Sequence, residues 1–126
     1  MLIDSHCHLD RLDLSAHGGS LDAALAAARG RGVGHFLCIG ISADNAAAAK
    51  TLSERYADVD CTVGVHPLDL QPGAAPGLDW LLAELNHPHV VAIGETGLDY
   101  HYEPQAAELQ RQAFRLHLHA AQLTGK

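Results

Sequence analysis

Short apolar runs alternate along this chain with stretches whose apolar residues return every third or fourth position, and that alternation predicts four βα units. Leu2-Ile3 enter a first strand, expected to be buried and extended over residues 2–8. After a loop with Gly18-Gly19, Ser20 is placed to cap a helix carrying Leu21, Ala24, Leu25 and Ala28, which Gly30 and Gly32 end. His35-Phe36-Leu37-Cys38-Ile39-Gly40 reads as a second strand, buried on both faces as in a parallel sheet. Ser42 or Asp44 can cap the next helix, with Ala48, Ala49, Leu52 and Tyr56 as its apolar positions. Residues 59–65 make a third strand. Residues 66–77, with Pro67, Pro72 and Pro76, fit neither period and are read as a loop. Leu78, Leu81, Leu82 and Leu85 form a third helical stripe, and residues 89–94 a fourth strand. A longer helix begins near Pro104 and runs through Leu109, Ala113, Leu116, Ala120 and Leu123 to a stop at Gly125. The order βαβαβαβα, with crossovers long enough for parallel pairing and no linker or low-complexity tract, predicts a single α/β domain over residues 1–126.

The first strand carries the chemistry. In an extended chain Asp4, His6 and His8 share one face, because side chains alternate with period two, so both imidazoles can reach one ion. The chain has ten histidines and three His-x-His pairs. His117 and His119 fall in a helical run, where two positions mean about 200° of rotation, so they cannot chelate together. His87 and His89 flank Pro88 in a helix-to-strand loop. Only His6 and His8 combine strand geometry, an acidic neighbour and a position at a strand's C-terminal end.

Composition narrows the class. The chain is 48% hydrophobic and 18% charged, with a net charge of −7, which argues against sequence-independent nucleic-acid binding through a broad basic surface. A nuclease stays open, since a metal held among carboxylates can recruit phosphate locally. Cys7, Cys38 and Cys61 are odd in number and widely spaced, which suggests neither a disulfide framework nor a cysteine zinc site. Cys7 is expected to point away from the His6/His8 face. No signal-like segment precedes the first strand and no apolar run approaches ~18 residues, so a reduced cytoplasmic location away from the membrane is expected.

Polar residues gather at one end of the pattern. His6 and His8 end strand one, His66 follows strand three, and Glu95-Thr96-Gly97-Leu98-Asp99-Tyr100 follows strand four. Barrels and open parallel sheets build their active sites from such C-terminal strand ends. Glu95 is therefore read as a metal ligand and catalytic carboxylate beside His6 and His8, and His66 as a catalytic or substrate-phosphate contact. Asp4 is a candidate to orient an imidazole from behind. Asp10 and Asp99 fit loop hydrogen bonds or caps equally well.

Three of these segments together carry a resemblance. Asp4-Ser5-His6-Cys7-His8-Leu9-Asp10, Gly64-Val65-His66-Pro67 and Ile93-Gly94-Glu95-Thr96-Gly97-Leu98-Asp99-Tyr100 resemble, in order and separation, the N-terminal signatures of the TatD family of metal-dependent deoxyribonucleases. The resemblance implies a TIM-barrel phosphodiesterase that hydrolyses DNA with divalent metal, often as a 3′ exonuclease. It also implies that His6 and His8 bind one metal, that Glu95 bridges a pair, and that His66 lines the substrate site. Imidazoles suit zinc or manganese and magnesium prefers oxygen, so Mg, Mn and Zn all remain open. The rival reading is another His-x-His barrel metallohydrolase, an amidohydrolase or a phosphoesterase; the Gly94-to-Tyr100 block favours TatD.

Four βα units are the N-terminal half of the eight in a barrel. The resemblance places a further metal-binding histidine, another histidine and a late aspartate beyond Lys126, so the chain is expected to be a truncated half. Alone it should be a poor catalyst or a non-catalytic assembly module. Its open inner face should then be covered by a second copy or by the missing C-terminal half.

Overall fold

The four apolar runs form four parallel strands: β1 (Leu2–Cys7), β2 (Val33–Cys38), β3 (Val59–Val63) and β4 (Val90–Ile93). They pair in chain order, β1-β2-β3-β4, in one sheet. The computed structural model describes residues 1–73 and 75–126. Between and after the strands lie α1 (Leu21–Gly30), α2 (Ala43–Arg55), α3 (Leu78–Leu85) and α4 (Ala107–Thr124). This is the parallel βα alternation that the periodicity predicts, four of the eight units of the barrel that the resemblance implies.

Local chemistry sets the helix ends. The Ser20 hydroxyl accepts the Ala23 N–H, and Gly32 turns the chain into β2 with φ 93°. Ser42, rather than Asp44, caps α2, reciprocally with Asn45: its hydroxyl accepts the Asn45 N–H, and Asn45 Oδ1 accepts the Ser42 N–H. Pro104 opens a 3₁₀ turn (Pro104–Ala106) that leads into α4, and Gly125 ends α4 in the left-handed region. A second 3₁₀ turn, Pro67–Asp69, sits inside the segment read as a loop.

One face of the sheet is buried against the helices. Phe36 and Cys38 of β2, Val59, Cys61 and Val63 of β3 and Val90 of β4 pack with Leu25, Ala46, Ala49, Leu81, Leu85 and Ala120. Truncating a side chain such as Leu81 to alanine would cost about 2–5 kcal/mol in lost transfer energy and cavity formation. The alternate positions His35, Leu37, Asp60 and Val91 face the other way and are half-buried or exposed. The expectation that β2 is buried on both faces is therefore corrected, because no second layer covers that face among the described residues. β1 departs further. It is an edge strand whose residues, Cys7 apart, are exposed, not the buried strand that its apolar start suggested.

Two helical stripes are kept in part: Ala49, Tyr56 and Ala120 are buried and Leu52 and Leu116 pack against the core, as predicted, while Ala48 and Leu123 are not buried. In α2 the buried residues are Asn45, Ala46, Ala49 and Ser53, with Ala48 exposed. In α4 they are Gln110, His117 and Ala120, with Leu123 exposed. Asn45, Gln110 and His117 are buried beside these apolar positions because their hydrogen bonds are satisfied inside.

Candidate functional site

His6 lies at the C-terminal end of β1 and His8 just past it, and their rings meet edge to face with centroids 5.3 Å apart. Glu95 follows β4 through a cis Gly94–Glu95 peptide, and His66 precedes the 3₁₀ turn after β3. The four side chains converge at the C-terminal end of the sheet. Glu95 Oε2 lies 3.7 Å from His6 Nε2 and 3.9 Å from His8 Nε2, and Glu95 Oε1 lies 3.9 Å from His66 Nε2.

Hydrogen bonds assign different roles to the imidazoles. His8 Nδ1 sits 3.2 Å from the Ile39 carbonyl, to which it donates, so the Nε2 lone pair is free to face Glu95. His66 Nδ1 instead accepts the Leu68 N–H at 3.2 Å, so a neutral His66 carries its proton on Nε2. His8 presents an acceptor and His66 a donor. The His6, His8 and Glu95 ligand atoms lie within 4.8 Å of one another, the one such group among the described residues. Two donors on one cation with bonds of ~2.1 Å stand roughly 3.4 Å apart, and the Glu95 gaps to His6 and His8, 3.7 and 3.9 Å, lie close to that separation. The donor set fits a divalent cation with open positions.

Asp4 corrects an expectation. The register slips between Asp4 and Cys7, and Asp4 Oδ1 accepts the backbone N–H of His6. Asp4 is exposed and lines a cavity of about 210 Å³ on the helix side with Cys7, Asp13 and Leu25, so it does not share the imidazole face. The Ile39 carbonyl orients His8 in its place. Cys7 does point to the helix side, where burial, then Asp4 and Cys38, push its thiol up to about 12, which leaves it protonated and unreactive.

The floor of the site is held by Thr62, which the sequence did not single out, and by residues such as Asp10 and Asp99 in the loop hydrogen bonds expected of them. The Thr62 hydroxyl accepts the Gly40 N–H at 3.1 Å and donates to the Gly94 carbonyl, while the Glu95 N–H donates to the Gly40 carbonyl. Gly64 is required here, because a Cβ on it would come within 2.7 Å of the Gly94 carbonyl carbon. Asn45 donates to Asp10 Oδ2, tying the loop after β1 to the start of α2. Asp99 caps its own turn through the His101 and Tyr102 N–H groups. Fully buried Gln110 accepts the Asp99 N–H and donates to the Asp99 and Glu103 carbonyls, clamping the loop that follows Glu95. His117 Nε2 accepts the N–H of Val65, one residue before His66. The one signal for Gln110 and His117 was a polar residue at helical spacing beside an apolar stripe.

The remaining histidines go elsewhere. His35 and His89 both contact Asp60, at 3.0 and 3.3 Å, and His87 contacts Glu54 at 2.9 Å. His119 is exposed on α4. A cavity of about 300 Å³ lies over the converged group, lined by His8, Arg11, Ile41, His66, Asp69 and Glu95.

A parallel half-barrel with a His-His-Glu group at its C-terminal face is the frame of a metal-dependent barrel enzyme. More narrowly, the chain belongs to the family described as TatD related DNase, which matches residues 3–126. It is 37% identical over 118 residues to the "uncharacterized metal-dependent hydrolase YcfH" of Escherichia coli (strain K12), covering 93% of this chain and 43% of that protein. It is 35% identical over 100 residues to the 3′-5′ ssDNA/RNA exonuclease TatD of Salmonella typhimurium, covering 79% of this chain and 38% of that protein. The crystal structure of YJJV, a TatD homolog from Escherichia coli K12, superposes with a TM-score of 0.80 at 30% identity, covering 98% of this chain and 47% of that one. The chain thus spans about half the length of the relatives it matches. No helix among the described residues is long and apolar enough to cross a membrane.

Proposed function

We propose that the protein of which these residues form the N-terminal half-barrel is a metal-dependent hydrolase of DNA phosphodiester bonds, acting as an exonuclease. The observation that carries this reading is the convergence of His6, His8 and Glu95 with the differently protonated His66 above them. Family membership and the exonuclease name of the Salmonella relative support the choice of DNA over amides or lactones.

In this reading His6, His8 and Glu95 would hold a divalent cation, Mg, Mn or Zn, and Glu95 would also serve a second one, as the family resemblance implies. The cation supplies positive charge to the phosphoryl group and acidity to a water. Where only Oε2, on the side of His6 and His8, held the cation, Oε1 of Glu95, on the side of His66, would be free to take a proton from the attacking water. His66 donates its Nε2 proton as a hydrogen bond to a non-bridging phosphoryl oxygen, where negative charge grows as the ester is attacked. His8 is held in orientation by the Ile39 carbonyl. Residues 1–126 act as half of one barrel domain. The inner face carrying Leu37 and Val91 is covered by the other half or, failing that, by a second copy.

The test is a panel assay of the whole protein with Mg, Mn and Zn on 3′-labelled single-stranded DNA, a phosphomonoester, an amide and a lactone. Stepwise metal-dependent loss of 3′ nucleotides is the expected result. Turnover of an amide or lactone with DNA untouched would overturn the nuclease reading.

A further inference from the structure

The cavity over the His-His-Glu group opens into a wider one of about 530 Å³ lined by Asp10, Arg11, Ser42, Asp44, Asn45, Asp69 and Gln71 among others. Arg11 and Asp69 line both, and Arg11 is the one lysine or arginine on either wall among the described residues. Its backbone is fixed. It ends the 3₁₀ turn Leu9–Arg11, where Leu9 is buried and the Arg11 N–H bonds to the His8 carbonyl at 3.0 Å. Its side chain is ion-paired with Asp10 but makes no hydrogen bond. The nearest carboxylate oxygen, Asp10 Oδ2, stands 3.6 Å from Nε, beyond a hydrogen bond, and that oxygen already accepts from Asn45 Nδ2. A rigidly based guanidinium with its planar donor fork unspent, three residues from a metal-ligand candidate, matches the geometry of a phosphate.

We propose that Arg11 binds the substrate phosphate next to the one being cleaved, so that the preferred substrate is a nucleic-acid strand with at least two phosphates, not an isolated phosphodiester. This rests on the nuclease reading above and names a specificity residue within it. Asp10, Asp44 and Asp69 surround the outer cavity, so its wall repels a third phosphate once Arg11 has taken one. Recognition on this side is therefore limited to a single additional phosphate. That is what distinguishes it from a basic groove that follows a long strand, where affinity keeps rising with length.

The test compares TpT with TpTpT on the whole protein loaded with Mn, using wild type, Arg11→Ala and Arg11→Lys. Wild type should show a higher kcat/KM on TpTpT, and Arg11→Ala should lose about tenfold more on TpTpT than on TpT, chiefly through KM, with partial recovery in Arg11→Lys. Binding of fluorescein-labelled (dT)3 to the metal-free protein gives a readout without turnover. Its log Kd against log salt should lose a slope of about 0.7 in Arg11→Ala. Equal losses on both substrates, or an unchanged preference and salt slope, would overturn the assignment of Arg11 alone. Failure of wild type to cleave TpT, TpTpT or longer DNA would overturn the nuclease reading itself, and Arg11 with it.

Discussion

His117, in the middle of α4, accepts the backbone N–H of Val65 on its Nε2 at 3.0 Å and donates from Nδ1 to the Ala113 carbonyl at 2.7 Å. One ring thereby joins the last helix to the residue preceding His66. The Nε2 bond requires the neutral imidazole, since a protonated Nε2 cannot accept, whereas the Nδ1 bond is kept in either state.

This makes stability pH-dependent. Burial lowers the His117 pKa from its ordinary 6.5, opposed in part by the bond to Ala113. As pH falls through about 6.5 the unfolded chain takes up a proton before the folded one does. The stability from this group is thus present above that value and is lost below it, down to the depressed folded pKa. Denaturant midpoints measured between pH 8 and pH 5 should fall with acidity, and His117→Gln should flatten that fall. An identical slope in the variant would show that other groups set the acid response.

Metal affinity should follow the split between the imidazoles. His6→Ala, His8→Ala and Glu95→Gln are each expected to weaken Mn or Zn binding about tenfold or more. His66→Gln should shift it only about twofold, because Nδ1 is spent on Leu68 and Nε2 carries the proton. Calorimetry on the four variants checks this. Wild-type affinity in the His6, His8 and Glu95 variants would remove the proposed site, and a tenfold loss in His66→Gln would make His66 a ligand.

Gln110 should matter to stability and to Glu95 together. Gln110→Ala leaves the Asp99 N–H and two carbonyls without a partner and opens a cavity, an expected cost of about 2–4 kcal/mol. Hydrogen exchange should show faster opening of residues 96–103 than of β3. If chemical denaturation gives a loss within about 0.5 kcal/mol, the clamp contributes nothing beyond an ordinary surface contact.

Periodicity and caps were enough to determine the element order, Ser20 and Gly125 as helix boundaries, and the gathering of His6, His8, His66 and Glu95 at one end of the sheet. Those features depend on residues near in sequence: a hydroxyl reaching an N–H three positions on, or a side chain alternating along a strand. What only the tertiary structure decided depends on residues far apart. Asp4 left the imidazole face because β1 slips its register against β2, and no pattern within residues 2–8 records the strand beside them. Ile39 rather than an acid orients His8, and any residue supplies the same backbone carbonyl, so the sequence carries no mark of it. Gln110 and His117 are buried because their partners, Asp99 and Val65, lie 11 and 52 positions away. A helical stripe shows which side of α4 turns inward only to within one residue, whereas a buried hydrogen bond distinguishes neighbouring positions sharply, since an unpaired polar group inside costs more than the choice between two aliphatic faces.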